Sequence, residues 1–142
     1  MSLRSRAFFY TLLSLKGEHE VRMWNTPPRL LCRQHLLGEH KEMHMFVGAF
    51  RRRISVYGYI EGGMLETHRI KERHDALVEE MEHRGYMHLS PIDVNPTDEV
   101  RGRVDVFANL VELARRCSRC ALLQKEEEEA FERHDRSCKQ SA

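Results

Sequence analysis

The stretch from residue 33 to residue 50, RQHLLGEHKEMHMFVGAF, restricts the possible folds more than any other part of the chain. Its residues have helical spacing, and His35, Glu39 and Glu42 fall within about 60° of one another on such a helix. The same stripe carries apolar residues before and after them: Leu31, Cys32, Met43, Phe46 and Phe50. Carboxylates and an imidazole held against apolar neighbours have shifted pKa values, as general acid–base sites do. The alternative is a solvated helix face on which His35 pairs with Glu39.

The rest of the chain also has helical patterns. Thr26-Pro27-Pro28 suits the start of the first helix. Arg51-Arg52-Arg53 suits its end, and phosphate contact by Arg51 and Arg52 is an equal alternative for that run. A second helix is predicted from residue 64 or 65 to about His83, with Gly85 just beyond its end. Residues at helical spacing in this helix are predicted to lie in the core: Ile70, His74, Leu77, Val78 and Met81.

A third helix is predicted at about 97–116 and a tail helix at 121–136, whereas the connections at 54–63 and 88–99 contain turn-forming residues. These patterns predict an all-α fold. We expect a single domain of three main helices with irregular loops and a C-terminal tail helix.

Length and composition limit the size, location and partners of the protein. The 142 residues suffice for one small domain with a modest core. No apolar run is long enough to span a bilayer, so no membrane partner is expected. The four cysteines, without any sign of secretion, favour reduced thiols and a cytoplasmic location. The net charge is only +1, but residues 1–60 hold more Lys and Arg than Asp and Glu. A DNA partner is therefore plausible without being required. We expect a monomer.

A series of residues in the first helix carries a family resemblance: Gln34, His35, Leu36, Leu37, Gly38, Glu39, His40, Lys41 and Glu42, with Gly48 and Ala49 following. This series resembles, without gaps, the first-helix signature of the pyrimidine-dimer DNA glycosylases, the family of phage endonuclease V. The block KERHDALVEEMEHRGY at 71–86 is similar to the second helix of that family. The resemblance covers about residues 21–116.

The resemblance implies a phage or bacterial DNA repair glycosylase with AP lyase activity and no cofactor. Its partner would be double-stranded DNA with ultraviolet lesions or abasic sites. In this family the N-terminal amine attacks C1′ of the sugar, displaces the base and forms an imine that permits β-elimination. By position, Glu42 is the carboxylate that stabilises the positive sugar and moves protons. Arg22 lies beside the amine and is expected, like Lys41, to contact DNA. His35 and Glu39 match further residues of the face that meets DNA.

Residues 1–20 match nothing in the family, whose members begin near Val21 or Met23. We expect these residues to be a non-native extension that results from a start site assigned too early. Lys16-Gly17-Glu18 can be encoded by a purine-rich ribosome-binding sequence, and Val21 by GTG, an alternative start codon. The catalytic amine would then belong to residue 21. The alternative is a genuine short amphipathic segment.

Residues 117–142 form an acidic, Cys-containing tail. Cys117, Cys120, His134 and Cys138 have a spacing compatible with a structural zinc site, and the alternative is free thiols at a helix end. Two other functions therefore stay open. One is a non-catalytic DNA-binding relative that keeps the fold. The other is a small helical interaction or zinc-binding protein in which the tail is the working part.

Overall fold

The computed structural model describes residues 21–141, so the expected extension at 1–20 lies outside the described residues. Within 21–141 the chain forms five α-helices and no strand. They are α1 (Arg33–Arg51), α2 (Tyr57–Glu61), α3 (Ile70–His83), α4 (Val106–Arg116) and α5 (Ser118–Gln140). Short 3-10 helices at Pro28–Leu30 and Thr67–Arg69 precede α1 and α3. The predicted all-α fold, with three main helices and a tail helix, is confirmed.

Two helix pairs build the molecule. α1 packs along α3, and α4 packs against α5, which also contacts the 3-10 helix at Pro28–Leu30. Both α1 and α3 bury residues spaced three or four apart, as packed helices do. The buried set of α1 is Leu36, Glu39, Met43, Phe46 and Val47. The buried set of α3 is Ile70, Arg73, His74, Leu77 and Met81. Each set contains a charged residue, and these two residues position the site described below.

The third main helix begins at Val106 rather than near residue 97. Asp105 caps it, because its side chain accepts a hydrogen bond from the N–H of Ala108. The residues before it are extended because their backbone bonds to residues ahead of α3. Thr67 N donates to Arg101 O at 2.9 Å, and Val104 N donates to Glu66 Oε2 at 2.8 Å. A helix over these residues would break both contacts.

Other boundaries also differ from the predictions. The prediction that Thr26-Pro27-Pro28 starts the first helix is wrong, because these residues lead into the 3-10 helix at Pro28–Leu30 and α1 begins only at Arg33. The connection at 54–63 contains the short helix α2, and α3 begins at Ile70 instead of residue 64 or 65. α5 is longer than the predicted 121–136. The predicted end of the second helix is confirmed, because Gly85 adopts a φ of 81° directly after it.

None of the helices in residues 21–141 is both long enough and apolar enough to cross a membrane.

Candidate active site

The segment at 21–25 is attached to α1 by carboxylates of that helix. The backbone N–H of Arg22 donates to Oε2 of Glu42 at 3.2 Å. Two residues further on, the N–H of Trp24 donates to Oε1 of Glu39 at 2.8 Å. Met23 is held from the other side, since its N–H donates to the carbonyl oxygen of Met64 at 2.7 Å. These bonds fix the backbone at residues 22–24, and Val21 is the residue that precedes the N–H bonded to Glu42.

Glu42 lies in an environment that favours its neutral form. Burial raises the pKa of this carboxyl to about 8, and the nearby Glu39 raises it further. The Arg22 N–H and the Arg22 charge oppose these effects. A carboxyl with such a pKa exchanges protons near neutral pH, which general acid–base catalysis requires.

Glu39 does not face solvent. Its side chain is completely buried, and it forms two parallel hydrogen bonds with Arg73 of α3. Arg73 Nε lies 2.8 Å from Oε1, and Nη2 lies 2.7 Å from Oε2. The prediction that Glu39 contacts DNA is therefore wrong. A buried carboxylate needs such charged partners, and here it also anchors the backbone at Trp24.

Arg22 faces α4. Its guanidinium carbon lies 4.4 Å from the centre of the Trp24 ring, a cation–π contact, and its Nη1 lies 3.4 Å from Oδ1 of Asn109. Asn109 is buried and donates from Nδ2 to the Trp24 carbonyl oxygen at 2.8 Å. α4 therefore fixes this segment from the side opposite α1.

The three basic residues of α1 and its end that were predicted to bind DNA are exposed: Lys41, Arg51 and Arg52. Arg51 and Arg52 lie at the C-terminal end of α1, where positive charge is also favourable for the helix dipole. Both explanations of this run fit the structure.

His35 approaches a group of thiols. Its Nδ1 lies 3.2 Å from Sγ of Cys32 and 3.5 Å from Sγ of Cys120. Sγ of Cys117 lies 3.9 Å from Sγ of Cys32. One ligand atom from each of these four residues falls within 4.8 Å of the others, so the group can hold a metal ion. We name it the Cys–His cluster.

The zinc set predicted from the tail alone is wrong. Cys117 and Cys120 lie at the start of α5, whereas His134 and Cys138 lie near its end. A continuous helix separates Cys120 from His134 by about 21 Å. On the last turns of α5, Sγ of Cys138 lies 3.5 Å from Nε2 of His134. Cys32 and His35, from the region of the first helix, lie beside Cys117 and Cys120 instead.

A second group consists of four imidazoles that sequence reasoning did not bring together. Its members are His40, His44, His74 and His88, and one nitrogen from each falls within 4.8 Å of the others. Burial lowers the pKa of His40 to about 4, and the neighbouring imidazoles add to this. We name this group the four-histidine cluster. The prediction that His74 lies in the core is confirmed, since it is 1% exposed.

Two further residues of the site, Arg73 and Asn109, were missed. Each has a signal in the sequence, because each occupies a core position of its helix. Arg73 lies three residues after Ile70 and four before Leu77, and Asn109 lies four before Leu113. A polar residue at an apolar position of a helical pattern needs a buried partner. The pattern gives no indication of which partner that is.

The comparisons with known proteins bear on the same part of the chain. A family model described as pyrimidine dimer DNA glycosylase matches residues 21–93. No curated protein and no solved structure matches the chain. The family match begins at Val21, one residue before the N–H that bonds to Glu42, and includes all of α1 and α3. It covers more than half of the chain, and the chain therefore belongs to the pyrimidine dimer DNA glycosylase family.

Proposed function

We propose that this protein is a DNA glycosylase with AP lyase activity on pyrimidine dimers, and that its active form carries a free amine at residue 21. One observation carries the proposal: the N–H of Arg22 lies 3.2 Å from Oε2 of Glu42. An amine on residue 21 would directly precede the residue whose N–H bonds to the carboxyl group that the family chemistry requires.

The reaction needs a nucleophile and a proton carrier close together. The lone pair of the unprotonated amine attacks C1′ of the damaged nucleotide's sugar, and the bond from C1′ to the base nitrogen breaks with the electron pair leaving on the base. Loss of a proton from nitrogen and opening of the sugar ring give the imine. Removal of a proton from C2′ then breaks the C3′–O bond and the strand. Glu42 is the group we assign to these proton transfers and to stabilising the positive sugar.

The nitrogen of residue 21 is a peptide amide when residues 1–20 precede it. An amide nitrogen shares its lone pair with the carbonyl group and is not a nucleophile. A free α-amine has a pKa of about 7.7–8.0, so an appreciable fraction is unprotonated at neutral pH. We therefore expect residues 1–20 to prevent the reaction as long as they are attached.

DNA contact is assigned to the exposed basic residues of α1 and its end, Lys41, Arg51 and Arg52, which suit phosphate groups of a duplex. Arg22 is assigned to positioning the amine, because Asn109 and the Trp24 ring hold it beside Glu42. For His35 we propose metal binding instead of DNA contact. Chemistry on a base inside a duplex also requires that the nucleotide be turned out of the stack.

The direct test compares strand cleavage by two chains, one with residues 1–142 and one that begins with Met in place of Val21. The substrate is a duplex with a single thymine dimer. Cleavage by the shorter chain alone supports the proposal. If the shorter chain binds the duplex and cleaves neither a dimer nor an abasic site, the protein is a non-catalytic DNA-binding member of the family.

We also propose that the Cys–His cluster holds a structural zinc ion. Four tetrahedral ligands of zinc with Zn–S bonds of about 2.3 Å have sulfurs about 3.8 Å apart, and Sγ of Cys32 and Cys117 are 3.9 Å apart. The backbone also turns N–H groups toward the sulfurs. Cys32 N donates to Sγ of Cys120 at 3.3 Å, and Cys120 N donates to Sγ of Cys117 at 3.5 Å.

Such an ion would join the start of α1 to the start of α5. Cobalt tests this proposal, because a cobalt ion bound by thiolates gives an intense near-ultraviolet charge-transfer absorption. The wild-type chain should show that absorption, and Cys117→Ser should reduce it strongly. Cys138→Ser is the matched control, since Cys138 is exposed on the far end of α5. Equal spectra for wild type and Cys117→Ser would contradict the assignment.

A further inference from the structure

The four-histidine cluster joins three separate parts of the chain. His40 and His44 lie one turn apart on α1, His74 lies on α3, and His88 lies in the segment after α3. The ring centres are close: 5.0 Å between His40 and His44, 4.8 Å between His44 and His74, and 5.2 Å between His74 and His88. Most of these ring pairs meet edge to face instead of stacking, and one nitrogen of each ring lies within 4.8 Å of the others.

Two nitrogens of the cluster are buried without a hydrogen-bond partner in residues 21–141. Nε2 of His40 and Nε2 of His44 are buried, and neither makes a hydrogen bond of ordinary geometry with any described residue. Buried polar atoms of native proteins nearly always have a partner. Neutral imidazole nitrogens are common ligands of transition metals. Two such nitrogens without a hydrogen-bond partner in one place are suited to donate their lone pairs to a metal ion.

The surroundings also suit a metal ion. Nδ1 of His74 lies 2.9 Å from Oδ1 of Asp75, and a carboxylate behind a metal-binding imidazole fixes the orientation of the ring. Nε2 of the same ring lies 3.1 Å from the Ser90 carbonyl oxygen, and on binding a metal this nitrogen would lose its proton and give up that hydrogen bond. The site therefore offers four imidazoles, one backbone oxygen beside them and one orienting carboxylate.

We propose that His40, His44, His74 and His88 bind one divalent transition-metal ion, with zinc as the ion that the geometry fits. Four nitrogens at about 2.1 Å from an ion lie about 3.4 Å apart in a tetrahedron. The four candidate atoms lie within 4.8 Å of one another. Rotation about the last torsion angle of histidine, which has a broad minimum, closes that difference without moving the backbone. Imidazole ligands suit zinc, copper, nickel and iron.

The ion has a structural role and no part in the proposed base excision. At about 100° per residue, His40 and His44 lie about 160° around α1 from Glu42. The metal would instead attach the segment around His88, which has no helix of its own, to both α1 and α3. It would thereby fix the packing of the two helices whose facing sides hold the Glu39–Arg73 pair.

The experiment uses the full chain with Cys117→Ser and Cys120→Ser, which removes the other candidate metal site. We expect this variant to bind about one equivalent of added Zn²⁺ and to show a Zn²⁺-dependent rise of the melting temperature. With Co²⁺ it should give visible d–d absorption without a thiolate charge-transfer band. His88→Ala, in a loop and therefore tolerant of change, should weaken Zn²⁺ binding by at least about tenfold.

Two matched controls separate metal binding from folding. His83→Ala removes an exposed histidine at the end of α3 and should leave Zn²⁺ binding unchanged. Asp75→Asn should weaken binding by about tenfold or more, whereas Lys71→Ala, which removes the other partner of Asp75, should not. If His88→Ala and His44→Ala both bind Zn²⁺ as tightly as their parent, or if the parent binds none, the proposal is overturned. Imine trapping on DNA does not enter this test, so the two proposals fail independently.

Discussion

Arg73 and Glu39 form a two-point ion pair inside the protein, with Nε to Oε1 at 2.8 Å and Nη2 to Oε2 at 2.7 Å. The arginine is 5% exposed and the carboxylate is completely buried. The remaining donor, Nη1, reaches the Thr26 carbonyl oxygen at 2.6 Å. The pair therefore links α3, α1 and the segment that carries residues 22–26. It holds the elements of the candidate site together from inside the protein.

Removing one partner of this pair should be costly. Arg73→Leu leaves the Glu39 charge buried and unpaired, which we expect to lower the free energy of unfolding by about 3–5 kcal/mol in urea titration. Lys71→Ala is the matched control: it breaks an exposed ion pair with Asp75 on the same helix and should cost less than about 1 kcal/mol. The double change Glu39→Leu with Arg73→Leu should recover part of the loss. A single Arg73→Leu as mild as the control would contradict the structural role of the pair.

Gly102 is required where the extended segment before α4 crosses the residues ahead of α3. Its φ is +86°, and a Cβ at this position would lie 2.0 Å from the Leu65 carbonyl oxygen. Gly85 is the natural control, with a φ of +81° and nothing within 4 Å of a Cβ. Gly85→Ala should cost about 1–2 kcal/mol for the left-handed backbone alone. Gly102→Ala should cost clearly more in the same thermal or urea measurement, and equal losses would show that the crossing is not as tight as described.

Lys41 provides a test of the DNA-facing surface. If it contacts a phosphate, Lys41→Ala should weaken binding to any duplex and reduce the slope of log affinity against log salt by about one. Fluorescence anisotropy at several salt concentrations measures both quantities. Lys125→Ala, an exposed lysine on α5, should change neither. An unchanged slope for Lys41→Ala would place the DNA elsewhere.

Asn109 should affect catalysis through position. Asn109→Ala removes the hydrogen bond to the Trp24 carbonyl oxygen and the contact with Arg22. In the chain that begins at residue 21, we expect the single-turnover rate on a dimer to fall by about tenfold, since one lost buried hydrogen bond is worth about 1–3 kcal/mol. KM should change less than kcat. Phe107→Ala, on the exposed face of the same helix, is the control, and a rate loss of similar size there would point to general loosening of α4.

The sequence predicts the parts of this molecule that depend on local pattern. The C-terminal end of α1, the glycine stop at Gly85 and the position of Glu42 within that helix follow from helical spacing and from the family signature. The late start of α4 does not, because it depends on hydrogen bonds from residues 101 and 104 to residues 66 and 67. Residues so far apart in the sequence leave no local pattern from which such pairings could be predicted.

The two candidate metal-binding clusters show the same limit. The spacing of Cys117 and Cys120 correctly indicates that two thiols lie together at one helix end, but a single long helix carries His134 away from them. Their partners Cys32 and His35 come from the other end of the described chain. Only the packing of α5 against the residues before α1 brings them together.

The proposed reaction requires a free amine on residue 21 close to Glu42, and borohydride trapping detects the imine that this amine would form. Reduction of an imine leaves a covalent protein–DNA complex. The chain that begins with Met in place of Val21 should trap on a duplex with one thymine dimer, whereas residues 1–142 should not. Glu42→Gln in the shorter chain should fold normally, because burial already favours the neutral carboxyl with its pKa of about 8, yet it should lose strand cleavage. Absence of any trapped complex for the shorter chain, on a dimer and on an abasic site, would contradict the central claim.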